Sequence, residues 1–309
     1  MKILLPGGAG LVGQNLITRL KAKGYKNIVV IDKHRENLAL LKKIHPGIIA
    51  VYGDLALEGD WQNHFKGANT VVMMQAQIGG NIYQDFVRNN IDSTKLILDL
   101  VRINSISNLI HISSSVVTSV GNDFYTNTKR EQERIVLESN IPCPILRPTL
   151  MFGWFDRKHL GWLSRFMKKT PIFPIPGDGR YPRQPLYVGD FCNIIISCIE
   201  NNVEDGVFNI SGREKIDYID VVRAVKRATG AKTPIVCIPY SIFFVLLWAW
   251  QFLDKNPPFT TQQLVSLVAK DEFEVIDWPS IFSVSCTSFS NAINETFNDQ
   301  YFSKVVLKF

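Results

Sequence analysis

The feature that most constrains this chain is a glycine cluster, Gly7-Gly8-Ala9-Gly10-Leu11-Val12-Gly13, placed directly after a short apolar run that begins at Lys2. An apolar run leading into Gly-x-x-Gly-x-x-Gly and then into a helical pattern reads as strand, tight turn and helix. Glycines at these places let the backbone reverse sharply, and they leave the first amide groups of the helix, those of Leu11 and Val12 among them, open to an anion. Asp32 closes the next apolar run at about 20 residues' distance, where a carboxylate can accept the ribose hydroxyls of a dinucleotide. Gly7, Gly10, Leu11, Val12, Gly13 and Asp32 are therefore the candidate contacts of such a ligand. The carboxylate of Asp32 repels a 2′-phosphate, which favours NAD over NADP, while Lys33 and Arg35 close by pull the other way.

The pattern continues in kind. Short β-branched runs at 2–5, 28–31, 48–52, 70–74, 109–113 and 143–147 alternate with helical periodicity at 11–23, 36–44, 82–104 and 127–139. Such alternation predicts an α/β fold of Rossmann type, a doubly wound parallel sheet covered on both faces. After Pro148 the texture turns to Pro- and Gly-rich loops, then short helices and strands, as in a smaller, mostly C-terminal α+β lobe. The expected division is a dinucleotide-binding domain over 1–155, with 186–212 returning to it, and a lobe mainly from 156–309 that holds the second ligand. Thr260 with Gln263 reads as a capping box for a helix running to Ala269, and 288–297 as a last amphipathic helix.

Composition narrows the class. A chain of 309 residues, 46% hydrophobic, buries a large core, and its net charge of +6 is spread along the sequence rather than gathered in a tail, which speaks against nucleic acid. The five cysteines have irregular spacings that fit neither a zinc site nor a disulfide framework, so reduced thiols in the cytoplasm are expected. The chain opens on a strand, without the charged and apolar regions of a signal peptide. One segment, 240–253 (YSIFFVLLWAWQFL), is uncharged and aromatic but too short to span a bilayer, which takes about 20 residues. It reads as a buried helix of the second lobe, or alternatively as a helix in contact with a membrane surface.

Chemistry is announced by Tyr125-Thr-Asn-Thr-Lys129, whose tyrosine and lysine stand one helical turn apart and face the same way. Ser113-Ser114-Ser115 precedes it at the end of the fifth strand, where an open parallel sheet has its ligand crevice. Gly53-Asp54 at the end of the third strand places a carboxylate, with Leu55 behind it, either near an adenine or as a helix cap.

These residues, with Asn90 and Thr94, Leu146-Arg147-Pro148 and the stretch from Arg183 to Asp190, make the chain resemble the extended short-chain dehydrogenases/reductases of the NAD-dependent epimerase/dehydratase family. The resemblance covers nearly the whole chain. It implies that Tyr125 is an acid/base held ionised near neutral pH by the Lys129 ammonium, with Lys129 also on the nicotinamide ribose. It implies that Ser115, or else Ser114, holds the reacting oxygen, that Asn90 lies beneath the site and that Arg183 holds a substrate diphosphate. Asp190 reads as a cap for a helix starting at Phe191, and an ion pair to Asp178 or Asp190 is the other use for Arg183. The implied activity is epimerisation of a nucleotide sugar through a transient keto intermediate. The alternatives are net reduction or oxidation of a keto-sugar or other bulky alcohol, and a non-catalytic dinucleotide-binding subunit. A homodimer through the long helices is the arrangement the resemblance implies.

Three departures qualify it. Val116 and Val117 stand where dehydratases carry an acid and a base, which disfavours elimination of water. The interval from Ser115 to Tyr125 is short, so the loop that helps to close a sugar pocket is missing. Gln75-Ala76-Gln77 replaces small residues where the chain passes under the cofactor, with Ala76 as the contact expected there.

Overall fold

The structure is a computed structural model that describes residues 1–201, 203, 205–253, 261–268 and 273–308. Its first part alternates β1 (Lys2–Pro6), α1 (Leu11–Ala22), β2 (Asn27–Asp32), α2 (Arg35–Ile44), β3 (Ile49–Tyr52), β4 (Thr70–Met73), α3 (Tyr83–Phe86), α4 (Ser93–Ile103), β5 (Asn108–Ile112), α5 (Phe124–Glu138) and β6 (Pro144–Pro148). Then come β7 (Met151–Phe152), α6 (Leu160–Lys169), β8 (Phe173–Pro176), β9 (Pro182–Arg183), β10 (Leu186–Tyr187), α7 (Val188–Asn201) and β11 (Gly206–Ile210). The chain closes with β12 (Ile216–Asp217), α8 (Tyr218–Thr229), β13 (Ile235–Ile238), α9 (Tyr240–Leu253), α10 (Thr261–Val268), α11 (Trp278–Phe282) and α12 (Phe289–Asn298).

Seven parallel strands form one sheet in the order β11-β6-β5-β4-β1-β2-β3. Side chains alternate along each strand, so both faces are apolar and both need cover. Ile3 and Leu5 of β1 pack with Leu16, Ile17 and Leu20 of α1 and with the apolar face of α7. Leu4 points the other way, into a second core with Ile97, Leu98 and Val101 of α4 and Val136 of α5. From β1 the chain winds to β2 and β3 on one side, then returns to β4 on the other. The carboxyl ends of β1 and β4 therefore diverge and open the crevice in which such sheets bind ligands.

Two helix expectations are corrected at this crevice. The 82–104 segment is not one α-helix, because a π turn over Val87–Asp92 joins α3 to α4 and turns Asn90 inward. The 127–139 helix begins earlier, at Phe124, because Asp123 caps it: its Oδ1 accepts Thr126 N at 2.9 Å. Tyr125 is thereby inside the first turn of α5, in helical register with Lys129.

Segment 240–253 does form a helix, α9, but the buried-helix expectation fails, since most of its described side chains are exposed. Among the described residues no helix is long and apolar enough to cross a membrane. Thr260 and Ala269, the ends of the expected capped helix, lie outside the described residues. All five cysteines are free thiols.

Candidate active site

The turn between β1 and α1 is built around glycine. Gly7 has φ of +76°, and a Cβ on it would lie 2.5 Å from the backbone nitrogen of Gln75, so β1 and β4 approach only because that atom is absent. A Cβ on Gly13 would lie 2.1 Å from the carbonyl oxygen of Gly8. Gly10 differs: it is the N-cap of α1, makes no side-chain cap, and the nearest atom to its would-be Cβ is 3.8 Å away. That open space lies over the unpaired amides of Leu11, Val12 and Gly13, the first groups of the helix, and it fits a pyrophosphate that a side chain would displace.

Asp32 is buried at the end of β2, its Oδ2 accepting Ala9 N and its Oδ1 accepting His34 N, each at 3.0 Å. The carboxylate is thus fixed beside the glycine turn. The two cations that could attract a 2′-phosphate are engaged: Lys33 Nζ donates to Asn89 Oδ1 at 2.7 Å, and the Arg35 guanidinium lies 3.6 Å over the Tyr52 ring. Asp54 accepts Ala56 N at 3.1 Å and pairs with Arg88 at 2.6 Å, tying the end of β3 to the π turn, while Leu55 is core. Ala76 is exposed at the mouth of the crevice.

At the carboxyl end of β5 the three serines diverge. Ser113 donates to Glu133 Oε2 at 2.5 Å, Ser114 stands beside Tyr125 and accepts Val116 N, and Ser115 opens a 3₁₀ turn. The serine brought to the tyrosine is therefore Ser114, the reserve candidate. Burial pushes the Tyr125 phenol above its ordinary value, the neighbouring Ser114 hydroxyl opposes this, and the Asp123 carboxylate adds to it. Lys129 is fully buried and spends its ammonium elsewhere, on Ile112 O at 3.0 Å and Gln132 Oε1 at 2.5 Å. Burial lowers it to about 7, with Glu133 opposing.

Beneath lies a polar frame around Asn90 and Thr94, whose other members and bonds the sequence motifs did not reveal. Thr94 Oγ1 accepts Gln132 Nε2 at 2.8 Å and Gln75 Nε2 at 3.1 Å, and donates to Asn90 O at 2.7 Å. Asn90 Oδ1 accepts Gln77 N at 2.6 Å and its Nδ2 donates to Thr128 at 2.9 Å, clamping the loop after β4 to α5. His111 stands in β5 fully buried, and burial together with the Lys129 charge holds it far below its ordinary value, hence neutral. Gln132 and Glu133 are the missed residues, and their signal was positional: they lie one helical turn past Lys129, on its side of α5.

Gln132 stabilises the charged form of Lys129, so its removal should lower the lysine further. If activity needs the ammonium, it is lost as pH rises through that value. Gln132→Leu should therefore shift the alkaline limb of kcat/KM down by about one pH unit, and Gln132→Glu should shift it up. Coincident limbs in the two variants would show that Lys129 does not act as a charge.

Arg183 stands on β9, half-buried, its guanidinium 5.7 Å from the Tyr181 ring and opposing the rise that burial imposes on Tyr218, to about 12. Asp190 does not cap a helix starting at Phe191. It lies inside α7, where its two oxygens accept Thr287 N at 2.9 Å and Thr287 Oγ1 at 2.6 Å, which anchors the C-terminal segment.

A sequence profile of the NAD dependent epimerase/dehydratase family matches residues 3–211, from β1 past the last strand of the sheet. The chain belongs to this family. As an enzyme of the extended short-chain dehydrogenase type, the family member is similar to proteins of two kinds. One is 3-beta-hydroxysteroid dehydrogenase of Mycolicibacterium neoaurum, 22% identical over 82% of this chain and 76% of the relative. Similar too is mouse sterol-4-alpha-carboxylate 3-dehydrogenase, decarboxylating, at 25% over 82% and 75%. Among solved structures, UDP-glucuronic acid 4-epimerase from Bacillus cereus in complex with NAD superposes with a TM-score of 0.74, at 20% identity over 96% of this chain and 98% of that one. UDP-glucose 4-epimerase from Thermotoga maritima gives 0.75, at 18% identity over 98% and 99%.

Proposed function

We propose that the chain is a NAD-dependent epimerase of a nucleotide sugar, working through transient oxidation of a sugar hydroxyl to a ketone. The observation that carries this is the placing of Tyr125 beside Ser114 past the carboxyl end of β5, one helical turn from a buried lysine and beside a glycine turn suited to a dinucleotide. NAD, when bound, supplies the hydride acceptor and returns the hydride. The chain's residues do the rest. Amides of the Gly7–Gly13 turn hold the pyrophosphate, Asp32 takes the ribose hydroxyls, and Asn90 keeps the loop carrying Ala76 in place. Tyr125 removes the hydroxyl proton and restores it, and Ser114 orients the reacting oxygen. Arg183 meets the substrate diphosphate from the C-terminal lobe. In this reading 1–155, with 186–212, binds the cofactor, and 156–309 mainly binds the substrate. A homodimer through the long helices is part of the same proposal, and sedimentation equilibrium tests it.

A second reading, net oxidation or reduction of a bulky alcohol, draws on the dehydrogenase relatives and on the site's rim. Beside Tyr125 the rings of Phe124 and Tyr83 stand 5.2 Å apart, and both are exposed. Purified protein incubated with nucleotide sugars separates the two: an epimerase yields the inverted sugar by NMR with no net change in NADH absorbance, whereas a dehydrogenase changes that absorbance stoichiometrically. A stoichiometric absorbance change without inversion, or no reaction with any sugar of the panel, would overturn the epimerase reading.

A further inference from the structure

Helix α9 carries no charged residue over its fourteen positions, and its described surface is open: Tyr240 is 38% exposed, Ile242 52%, Val245 59%, Leu246 56%, Trp248 53% and Trp250 52%. At about 100° per residue, Trp248, Val245, Ile242, Leu246 and Trp250 fall at roughly 80°, 140°, 200°, 240° and 280° around the axis from Tyr240. Phe243, at roughly 300°, is the buried anchor. The open arc thus exceeds half the circumference. Water-facing helices of globular proteins instead keep a polar face outward.

What covers such an arc can be decided by size and shape. A helix of fourteen residues is about 21 Å long and about 10 Å across. One flank of it therefore offers roughly 200 Å², well short of the ~800 Å² each partner gives to a stable protein interface. A flat partner, including a second copy of the chain, would also leave the rest of the arc wet. A fluid apolar medium would cover all of it. Spanning is excluded, because about 21 Å is less than the ~30 Å hydrocarbon core, and Trp and Tyr are the residues that settle at the boundary between acyl chains and headgroups.

We infer that α9 is a membrane-surface anchor, which lies in the headgroup region of a lipid bilayer and holds this enzyme at that surface. This stands apart from the epimerase reading, since it concerns where the enzyme works and not which bond it changes. Attachment is apolar, so neutral lipid suffices and salt does not reverse it.

The test is co-sedimentation of the full chain with phosphatidylcholine vesicles, with and without phosphatidylglycerol. The wild type should pellet with both, and should still do so in about 0.5 M salt, which screens exposed charges to within roughly 5 Å. Trp248→Ser with Trp250→Ser should weaken partitioning roughly tenfold per tryptophan, about a hundredfold together. A double variant with unchanged thermal melting and unchanged turnover of a soluble substrate keeps this loss separate from misfolding and from the epimerase reading. Should the variant melt early, brominated phosphatidylcholine must quench the wild-type tryptophan emission, a readout that needs no substitution. A wild type left in the supernatant, equal partitioning of the variant, or a dimer that the variant abolishes would each overturn the inference.

Discussion

Tyr125→Phe should lower turnover by roughly 10²–10⁴-fold while leaving NAD affinity and the fold intact. The change removes one oxygen and keeps the ring, so the packing of the first turn of α5 and its Asp123 cap are undisturbed. The cradle for the dinucleotide is built from Gly7, Gly10, Gly13 and Asp32, none of which bonds to the phenol. The loss should therefore fall on kcat alone, and NAD binding by fluorescence titration should match the wild type. Because burial holds the phenol above its ordinary value, Tyr125 is protonated at neutral pH in the cofactor-free protein. A difference-absorbance titration of that form should show one phenol of delayed ionisation that Tyr125→Phe removes. Turnover retained by the variant would end the assignment of Tyr125 as the acid/base.

Much of this was legible because the chemistry is local in sequence. The glycine turn must follow a strand and open a helix, Asp32 must close the second strand, and a tyrosine and lysine one turn apart must share a helix face; each is a short-range rule. The parallel sheet followed from strands that read as continuous apolar runs. What stayed hidden depends on contacts between distant segments. The direction of the Lys129 ammonium is set by Gln132 and Ile112 O, the choice of Ser114 over Ser115 by the path of the chain into a 3₁₀ turn, and the partner of Asp190 by Thr287, 97 residues away. The π turn at Asn90 likewise depends on a clamp to Gln77 and Thr128 that periodicity does not encode. For 240–253, hydrophobicity alone suits a core helix as well as one at a membrane surface, and only the observed exposure rules out the core helix.

Arg147→Leu should cost about 3–5 kcal/mol of stability, because it strands a buried carboxylate. Glu133, whose side chain is 6% exposed, is held by Arg147 through Nε at 3.0 Å and through Nη2, with Ser113 donating from just past β5. Without the guanidinium, the Ser113 hydroxyl is a weak substitute for a full counter-charge. Glu133→Leu should be costly for the converse reason, leaving the half-buried guanidinium, among the described residues, with Asn209 at 3.5 Å. Replacing both by leucine removes both stranded charges, so the double variant should recover most of the loss, and a double-mutant cycle in urea should show strong coupling. Additive losses would mean that the pair contributes through packing rather than charge. Activity should not recover in parallel. Ser113 loses its acceptor in the double variant, and Ser113 fixes the end of β5 from which Ser114 reaches Tyr125. A double variant as stable as the wild type but slower, with unchanged NAD affinity, is the expected result; full recovery of kcat would show that Ser114 is placed without help from the buried pair.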